Sequence, residues 1–465
     1  MTLIKSISGI RGTIGGRPGD NLTPSDIIEL TSAFTLFLKE QTGKEQLTLV
    51  VGRDARVSGS IVNSLVCSTL QSMGVHVTDI GLSTTPTTEM AVTQHRADGG
   101  IIITASHNPM QWNALKLLNS RGEFISGSDG KRLLAIADTI AQGCQYADVQ
   151  HLGTYTQDTQ AIQRHIDAIL ALPLVNTEAI RAAHFRVIVD VINSTGAISI
   201  PPLLKQLGVE SVTVLNGEMN GVFNHTPEPI PENLTGIADA MRQEGRYDVG
   251  FVVDPDVDRL AILQEDGTMF GEEYTPVAVA DYVLRHAKGN TVSNLSSSRA
   301  LRDVSDQHGV RYNAAAVGEV NVVEKMKETD AIIGGEGNGG VIYPALHYGR
   351  DALVGVALFL SHLATAQCKC SELRRKYPDY HISKNKIELD PTMSVPGILD
   401  AVAQHYASES VSRIDGVKID FADKWAHIRS SNTEPIIRIY TEAHTEAEAE
   451  ALAQEVMSFI QKLIA

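Results

Sequence analysis

Three stretches of the chain repeat one order of elements, and that repetition limits the fold more than any single motif does. An apolar run at 47–51 leads through a Gly-Arg-Asp turn into helix-forming residues at 60–73, then Gly74-Val75 and a β-rich run. Residues 186–191 lead through Asn-Ser-Thr-Gly into a helix over 198–207, then Gly208-Val209 and a strand over 211–215. Residues 290–295 lead through a Ser-rich turn into a helix over 299–307, then Gly309-Val310 and residues 311–313. In each copy glycine ends the helix and valine opens the next strand, the grammar of a βαβ unit. Three such units at domain-sized intervals predict three similar α/β domains.

The 465-residue length fits three or four domains. The polar stretch 141–159 separates the first unit from the second, and Pro227, Pro229 and Pro231 mark a turn-rich run late in the second. After Cys370 the pattern changes to short strands and an Ala/Glu-rich helix over 445–463, too short for another doubly wound unit. The expected division is 1–152, 153–256, 257–372 and 373–465, the last a smaller α+β domain. The fold class is α/β, three similar domains with mixed sheets plus the smaller C-terminal α+β domain.

Two segments carry the chemistry. In GGIIITASHNP, residues 99–109, an apolar strand stops at Ser106 beside His107. That holds a hydroxyl at the carboxyl edge of a sheet, where open α/β folds bind ligands, and makes Ser106 a candidate nucleophile; the alternative is a plain turn. In DPDVDR, Asp254, Asp256 and Asp258 alternate after the apolar run 249–253. Alternate side chains of an extended chain share a face, so the three carboxylates converge if the segment curves around a cation. Repulsion of about 4 kcal/mol per pair at 4 Å in a dielectric near 20 calls for a hard divalent ion, and an all-oxygen set favours Mg²⁺ over Zn²⁺. The alternative is a solvated acidic loop.

A formal charge of −16 argues against general nucleic-acid binding. The 4 cysteines form no CxxC pair, the N-terminus lacks a signal-like apolar core, and the run 352–366 is too short for a membrane span and reads as a buried helix. The expected compartment is the cytoplasm, with no membrane or nucleic-acid partner. Gly335, Gly337 and Gly340 satisfy G-x-G-x-x-G, but a β-like run and Pro344 follow where a dinucleotide site needs a helix. Glu336 and Asn338 on that glycine frame suit a polyhydroxylated ligand instead. In HIRSSNTEPIIR, residues 427–438, Arg429 and Arg438 flank Ser431, Asn432 and Thr433, a composition suited to phosphate oxygens.

In combination these motifs closely resemble the α-D-phosphohexomutase family, over nearly the whole chain. The resemblance implies four domains around a cleft and a phosphoserine at Ser106, with Asp254, Asp256 and Asp258 holding one Mg²⁺ together with a phosphoserine oxygen. His107, Lys116, Arg11 and Arg259 match positions that assist phosphoryl and proton transfer. Asn321, Glu336 and Asn338 fall at sugar contacts, and Arg429, Ser431, Asn432, Thr433 and Arg438 in the loop gripping the non-reacting phosphate. The implied activity interconverts hexose 1-phosphate and 6-phosphate through a hexose 1,6-bisphosphate, which also serves as activator, in a monomer or homodimer acting on small sugar phosphates. Relatives usually carry Ser then Gly-His in the sugar loop, where this chain has Asn338-Gly339-Gly340; His347 and Arg350 are the candidates to compensate. The Gly-Asn-Gly-Gly form points to glucosamine 6-phosphate and glucosamine 1-phosphate, with phosphomannomutase/phosphoglucomutase activity as the alternative. A Mg²⁺-dependent sugar phosphatase and a catalytically silent sugar-phosphate binder stand outside that class.

Overall fold

The computed structural model describes residues 2–6, 9–140, 143–390, 394–430 and 436–464. Each of the three repeats opens a sheet in the same way. In the first, Thr48–Arg53 lies between His76–Leu82 and Gly99–Ile103, parallel to both, and Trp112–Leu118 returns antiparallel beside Gly99–Ile103. In the second, Arg186–Asp190 lies between Ser211–Leu215 and Val249–Val253, again parallel, with Leu260–Leu263 antiparallel at the far side. In the third, Asn290–Asn294 takes the centre, Tyr312–Ala315 and Ala331–Glu336 flank it in parallel, and Gly340–Ile342 returns antiparallel. The sequence repeat therefore continues through a second helix, a third parallel strand and a returning fourth. Gly74, Gly208 and Gly309, which end the three first helices, all sit at positive φ (80°, 93° and 66°), the left-handed turn that favours glycine.

This shared topology fixes where the functional loops lie. Each third strand ends at the carboxyl edge of its sheet, and the hairpin to the returning strand carries Ser106, then the aspartates, then Glu336-Gly337-Asn338. The three chemically distinct motifs are one topological position used three times. The first sheet reaches seven strands by adding Ile4–Ser6 and Gly9–Thr13 at one edge and Tyr155–Gln157 at the other. The second and third sheets share one apolar core in which Ala352–Ala366 is buried from Ala352 to Ala364. At about 1.5–3 kcal/mol for each large apolar side chain removed from water, this helix is a principal weld between them. Asp351 caps it, accepting from the amides of Leu353 and Val354 at 2.8 and 3.3 Å. No helix among the described residues is long and apolar enough to cross a membrane.

The C-terminal sheet has five antiparallel strands, ordered His381–Glu388, Ile436–Ala443, Trp425–Ser430, Val417–Asp420 and Ser410–Ser412, packed on Glu446–Ile464. Buried polar contacts dock it on the Ser-rich turn of the third repeat. Lys418 Nζ donates to the Leu295 carbonyl at 2.8 Å, and Glu442 accepts from the Arg299 amide at 3.0 Å and the Trp425 indole at 2.6 Å. His427 Nδ1 lies 2.8 Å from Ser296 Oγ, and its Nε2 donates to the Asp415 carbonyl at 2.7 Å. Burial holds the His427 imidazolium down to about 4. Between that value and about 6.5 the unfolded chain binds the proton that the folded one excludes, so stability falls as pH drops through this window. The expected loss is about 3 kcal/mol at pH 4 relative to pH 7. Melting temperatures across that range should slope less in His427→Gln, and parallel slopes would show that other groups govern acid stability.

Candidate active site

Ser106 is held in the left-handed region (φ 49°), a conformation that costs a non-glycine residue energy and persists only when its surroundings impose it. Those surroundings are specific. Arg56, buried beside Asp54, donates to the carbonyls of Ser106, Asn108, Pro109 and Trp112. The Ser106 amide donates to Thr104 Oγ1, which donates to Asp54 Oδ2 at 2.6 Å. The constrained hydroxyl is delivered to the aspartate loop, with Oγ donating to Asp254 Oδ2 at 2.7 Å.

The aspartate loop is equally fixed. Ser194 and Thr195, from the Asn-Ser-Thr turn of the second repeat, donate to the Pro255 carbonyl at 2.7 and 2.9 Å, and Val257 takes φ 62°. Asp254 Oδ1 accepts from the amides of Asp258 and Arg259, both at 3.2 Å. All three carboxylates are fully buried and offer oxygens within 4.8 Å of one another. Asp256 Oδ1 and Asp258 Oδ1 are enclosed and accept no hydrogen bond. Two buried carboxylate oxygens without a hydrogen bond, beside a serine hydroxyl, form an all-oxygen donor set that fits a hard divalent cation.

The field around this cage explains its titration. Burial, then Asp258 and Asp256, push the Asp254 carboxyl well above its ordinary range. Burial acts on Asp256 too, but Lys116 Nζ at 2.7 Å and the Thr85 hydroxyl at 2.6 Å outweigh it and hold that carboxyl below the usual value. Burial, then the neighbouring Arg259, hold His107 well below the ordinary histidine value, so it is neutral at pH 7 with Nδ1 3.3 Å from Ser106 Oγ. Arg11 is lowered by burial and then by the charges of Arg259 and Arg438, which marks these guanidinia as neighbours across the domains. Arg429 and Arg438 are directly opposed on adjacent antiparallel strands. Like charges so paired repel unless an anion joins them.

A cleft of about 230 Å³ opens between the last three domains, lined by Arg259, Glu336, Asn338, Lys384, Arg429 and Tyr440 among others. Glu336 Oε1 accepts from Asn294 Nδ2 and the Gly318 amide, and its Oε2 from Arg350. The glycine-rich loop after Glu336 meets the aspartate loop directly, the Leu260 amide donating to the Gly339 carbonyl at 3.1 Å. A strand, not a helix, follows Gly340, which disposes of the dinucleotide pattern. Asn321 is exposed and spends its amide on the Val317 carbonyl at 2.8 Å. Ser431, Asn432 and Thr433 lie outside the described residues.

Of the two compensating candidates, Arg350 is the one drawn into the site. A β-carbon at position 340 would stand 2.3 Å from Arg350 Cδ, so Gly340 makes the room that this side chain fills. His347 instead faces Glu89 and Asp351 at 3.4 and 3.3 Å. Sequence reading missed Asp54, Arg56, Thr85 and Lys384. Only Asp54 left a signal, as the last residue of the Gly-Arg-Asp turn opening the first repeat.

Domain models described as phosphoglucomutase/phosphomannomutase match in order along the chain. Alpha/beta/alpha domain I matches residues 3–143, domain II 163–267, domain III 272–380 and the C-terminal domain 384–458. A phosphoglucomutase/phosphomannomutase of Thermococcus kodakarensis is 34% identical, covering 94% of this chain and 95% of that protein. The chain belongs to the phosphoglucomutase/phosphomannomutase family. Also similar to this family member is a phosphoglucosamine/phosphogalactosamine mutase of Sulfurisphaera tokodaii, 30% identical over 97% of this chain and 98% of its own. Among solved structures, a phosphoglucomutase/phosphomannomutase family protein of Burkholderia thailandensis superposes with TM-score 0.84 at 26% identity, covering 100% of this chain and 98% of that one. Like other phosphohexomutases, the protein is an isomerase.

Proposed function

We propose that this phosphohexomutase interconverts glucosamine 6-phosphate and glucosamine 1-phosphate through a phosphoserine at position 106 and a bisphosphorylated sugar. The observation that carries this reading is the 2.7 Å contact between Ser106 Oγ and Asp254 inside the buried aspartate cage. A Mg²⁺ held by Asp254, Asp256 and Asp258 supplies the positive charge that offsets a serine-borne phosphate of about −2. In the forward half-reaction a sugar hydroxyl attacks phosphorus, the bond from phosphorus to Ser106 Oγ breaks, the hydroxyl proton leaves and Oγ is reprotonated. Lys116 and neutral His107 carry those protons in this reading. Arg11 and Arg259 stabilise charge on the equatorial oxygens, since phosphoryl transfer asks chiefly for alignment and neutralisation.

The bisphosphate then turns over in the cleft and returns its other phosphate to Ser106. Such a reversal requires a second anion grip that tolerates either end of the sugar, the work assigned to the opposed Arg429 and Arg438. The glucosamine assignment draws support from a similar phosphoglucosamine/phosphogalactosamine mutase. Phosphomannomutase/phosphoglucomutase activity is the second reading, favoured by the 34% identical relative of that name.

Intact mass should reveal one covalent phosphate. Incubation with glucosamine, mannose and glucose phosphates, Mg²⁺ and a hexose 1,6-bisphosphate should convert the glucosamine pair fastest, and EDTA should stop it. Steady release of inorganic phosphate would make the protein a phosphatase; affinity with neither turnover nor covalent phosphate would make it a binding protein.

A further inference from the structure

Behind the aspartate cage lies a second cluster of buried ligating groups that phosphoryl transfer does not use. It joins three parts of the chain: Glu89 on helix Thr85–Gln94, His165 on helix Ala161–Leu170, and His347 with Asp351 at the start of helix Ala352–Ala366. His165 Nε2 lies 2.9 Å and His347 Nε2 3.3 Å from the same oxygen, Asp351 Oδ2. The three ligand atoms fall within 4.8 Å of one another. Ligands at 2.0–2.1 Å from a tetrahedral ion are about 3.3 Å apart, so these contacts are on the scale of a metal's coordination shell.

The outward-facing nitrogens are arranged in the manner of a metal site. His165 Nδ1 lies 2.9 Å from the Thr87 hydroxyl, and His347 Nδ1 lies 3.4 Å from Glu89 Oε2. Histidines that bind metal through one nitrogen orient the other towards a carboxylate, hydroxyl or carbonyl in this way. Glu89 is 1% exposed, and neither of its carboxylate oxygens has a hydrogen-bond partner. Glycine at 349 makes its position possible, because a β-carbon there would stand 1.9 Å from Glu89 Oε2. Burial pushes this carboxyl up to about 8, and a cation bound beside it would favour its ionised form. Without a metal, Asp351 and Glu89 raise the His347 imidazole to about 10 and so keep it protonated; an ion bound here takes the place of that proton.

We propose that His165, His347 and Asp351 bind a zinc ion, with Glu89 fixing the His347 ring from behind. Two imidazoles and a carboxylate suit zinc, whereas the all-oxygen cage suits a harder ion, so the two sites select different metals. The His347 side chain, 12% exposed, marks the side from which the ion enters. The role is structural. Thr85, one turn before Glu89, donates to Asp256, and Arg350, next to Asp351, donates to Asp258, so the zinc cross-links the two elements that brace the aspartate cage.

The test uses the full-length protein, stripped with a chelator and dialysed against Zn²⁺ in excess Mg²⁺, with metal content read by mass spectrometry. Wild type should retain one zinc per chain and melt higher than the stripped protein, and Co²⁺ in its place should give tetrahedral visible absorption bands. His347→Gln, at the exposed side of the cluster, should lose the zinc while keeping its circular dichroism, Glu89→Gln should bind it about 10–100-fold more weakly, and Asp256→Asn should keep it. Wild type without stoichiometric zinc, or His347→Gln with undiminished zinc, would overturn the proposal. Loss of zinc in Asp256→Asn with retention in His347→Gln would assign the ion to the cage and do the same.

Discussion

Ser106→Ala is expected to fold, to melt close to wild type, and to lose both its covalent phosphate and its mutase activity. The activity should fall by roughly 10⁴-fold or more, the scale on which removal of a covalent nucleophile is felt. Stability should change little because alanine meets the same left-handed backbone as serine, and the loop is shaped by Arg56, Thr104 and Asp54, not by the Ser106 side chain. The bonds lost are the one to Asp254, worth about 1 kcal/mol, and the longer contact with His107 Nδ1 at 3.3 Å. A kcat within tenfold of wild type, with glucosamine 6-phosphate as substrate and bisphosphate present, would mean that the phosphoryl group travels by another carrier.

What the sequence disclosed and what it hid separate along a physical line. TASHNP and DPDVDR were legible because each places its chemistry within a few residues and directly after an apolar strand. The groups that make those loops rigid are legible only in three dimensions. Arg56 reaches Ser106 across 50 residues of chain, and Arg350 reaches Asp258 across 92. Arg56 sits in no patterned neighbourhood and looked like an ordinary surface charge, while Arg350 was picked out only as a candidate substitute for the missing histidine, with nothing to signal its reach to Asp258. The repeat was legible as far as its second strand, where the Gly-Val signal ends. Its third strands were read as separate apolar runs and not as parts of the repeat, because their spacing from the second strand differs among the copies, although they lead into all three loops of the site. Asn321 was singled out by resemblance alone, and the structure leaves it exposed with its side-chain amide donating to the Val317 carbonyl before its own helix.

Arg350 is where position and chemistry are most tightly joined, and its replacement should have the second large effect. Its guanidinium donates to Asp258 Oδ2 at 2.7 Å, Glu336 Oε2 at 2.8 Å and Glu319 Oε2 at 3.1 Å, so one side chain ties the aspartate cage to the Glu336 loop. Arg350→Ala would take one shared cation from three buried carboxylates, and breaking such a network costs about 3–5 kcal/mol. Because that variant can fail for want of stability alone, Arg350→Lys is the more informative change. It keeps the charge but not the planar fork, and a single ammonium cannot hold three carboxylates in these directions. Arg350→Lys should therefore stay folded while kcat/KM falls by about 10²-fold, a penalty of roughly 2.7 kcal/mol in transition-state binding. Gly340→Ala should reproduce part of the defect, since its β-carbon would displace the Arg350 side chain without removing any charge. If both variants matched wild type in kcat/KM, Arg350 would be a packing residue and the Glu336 loop would be positioned independently of the cage.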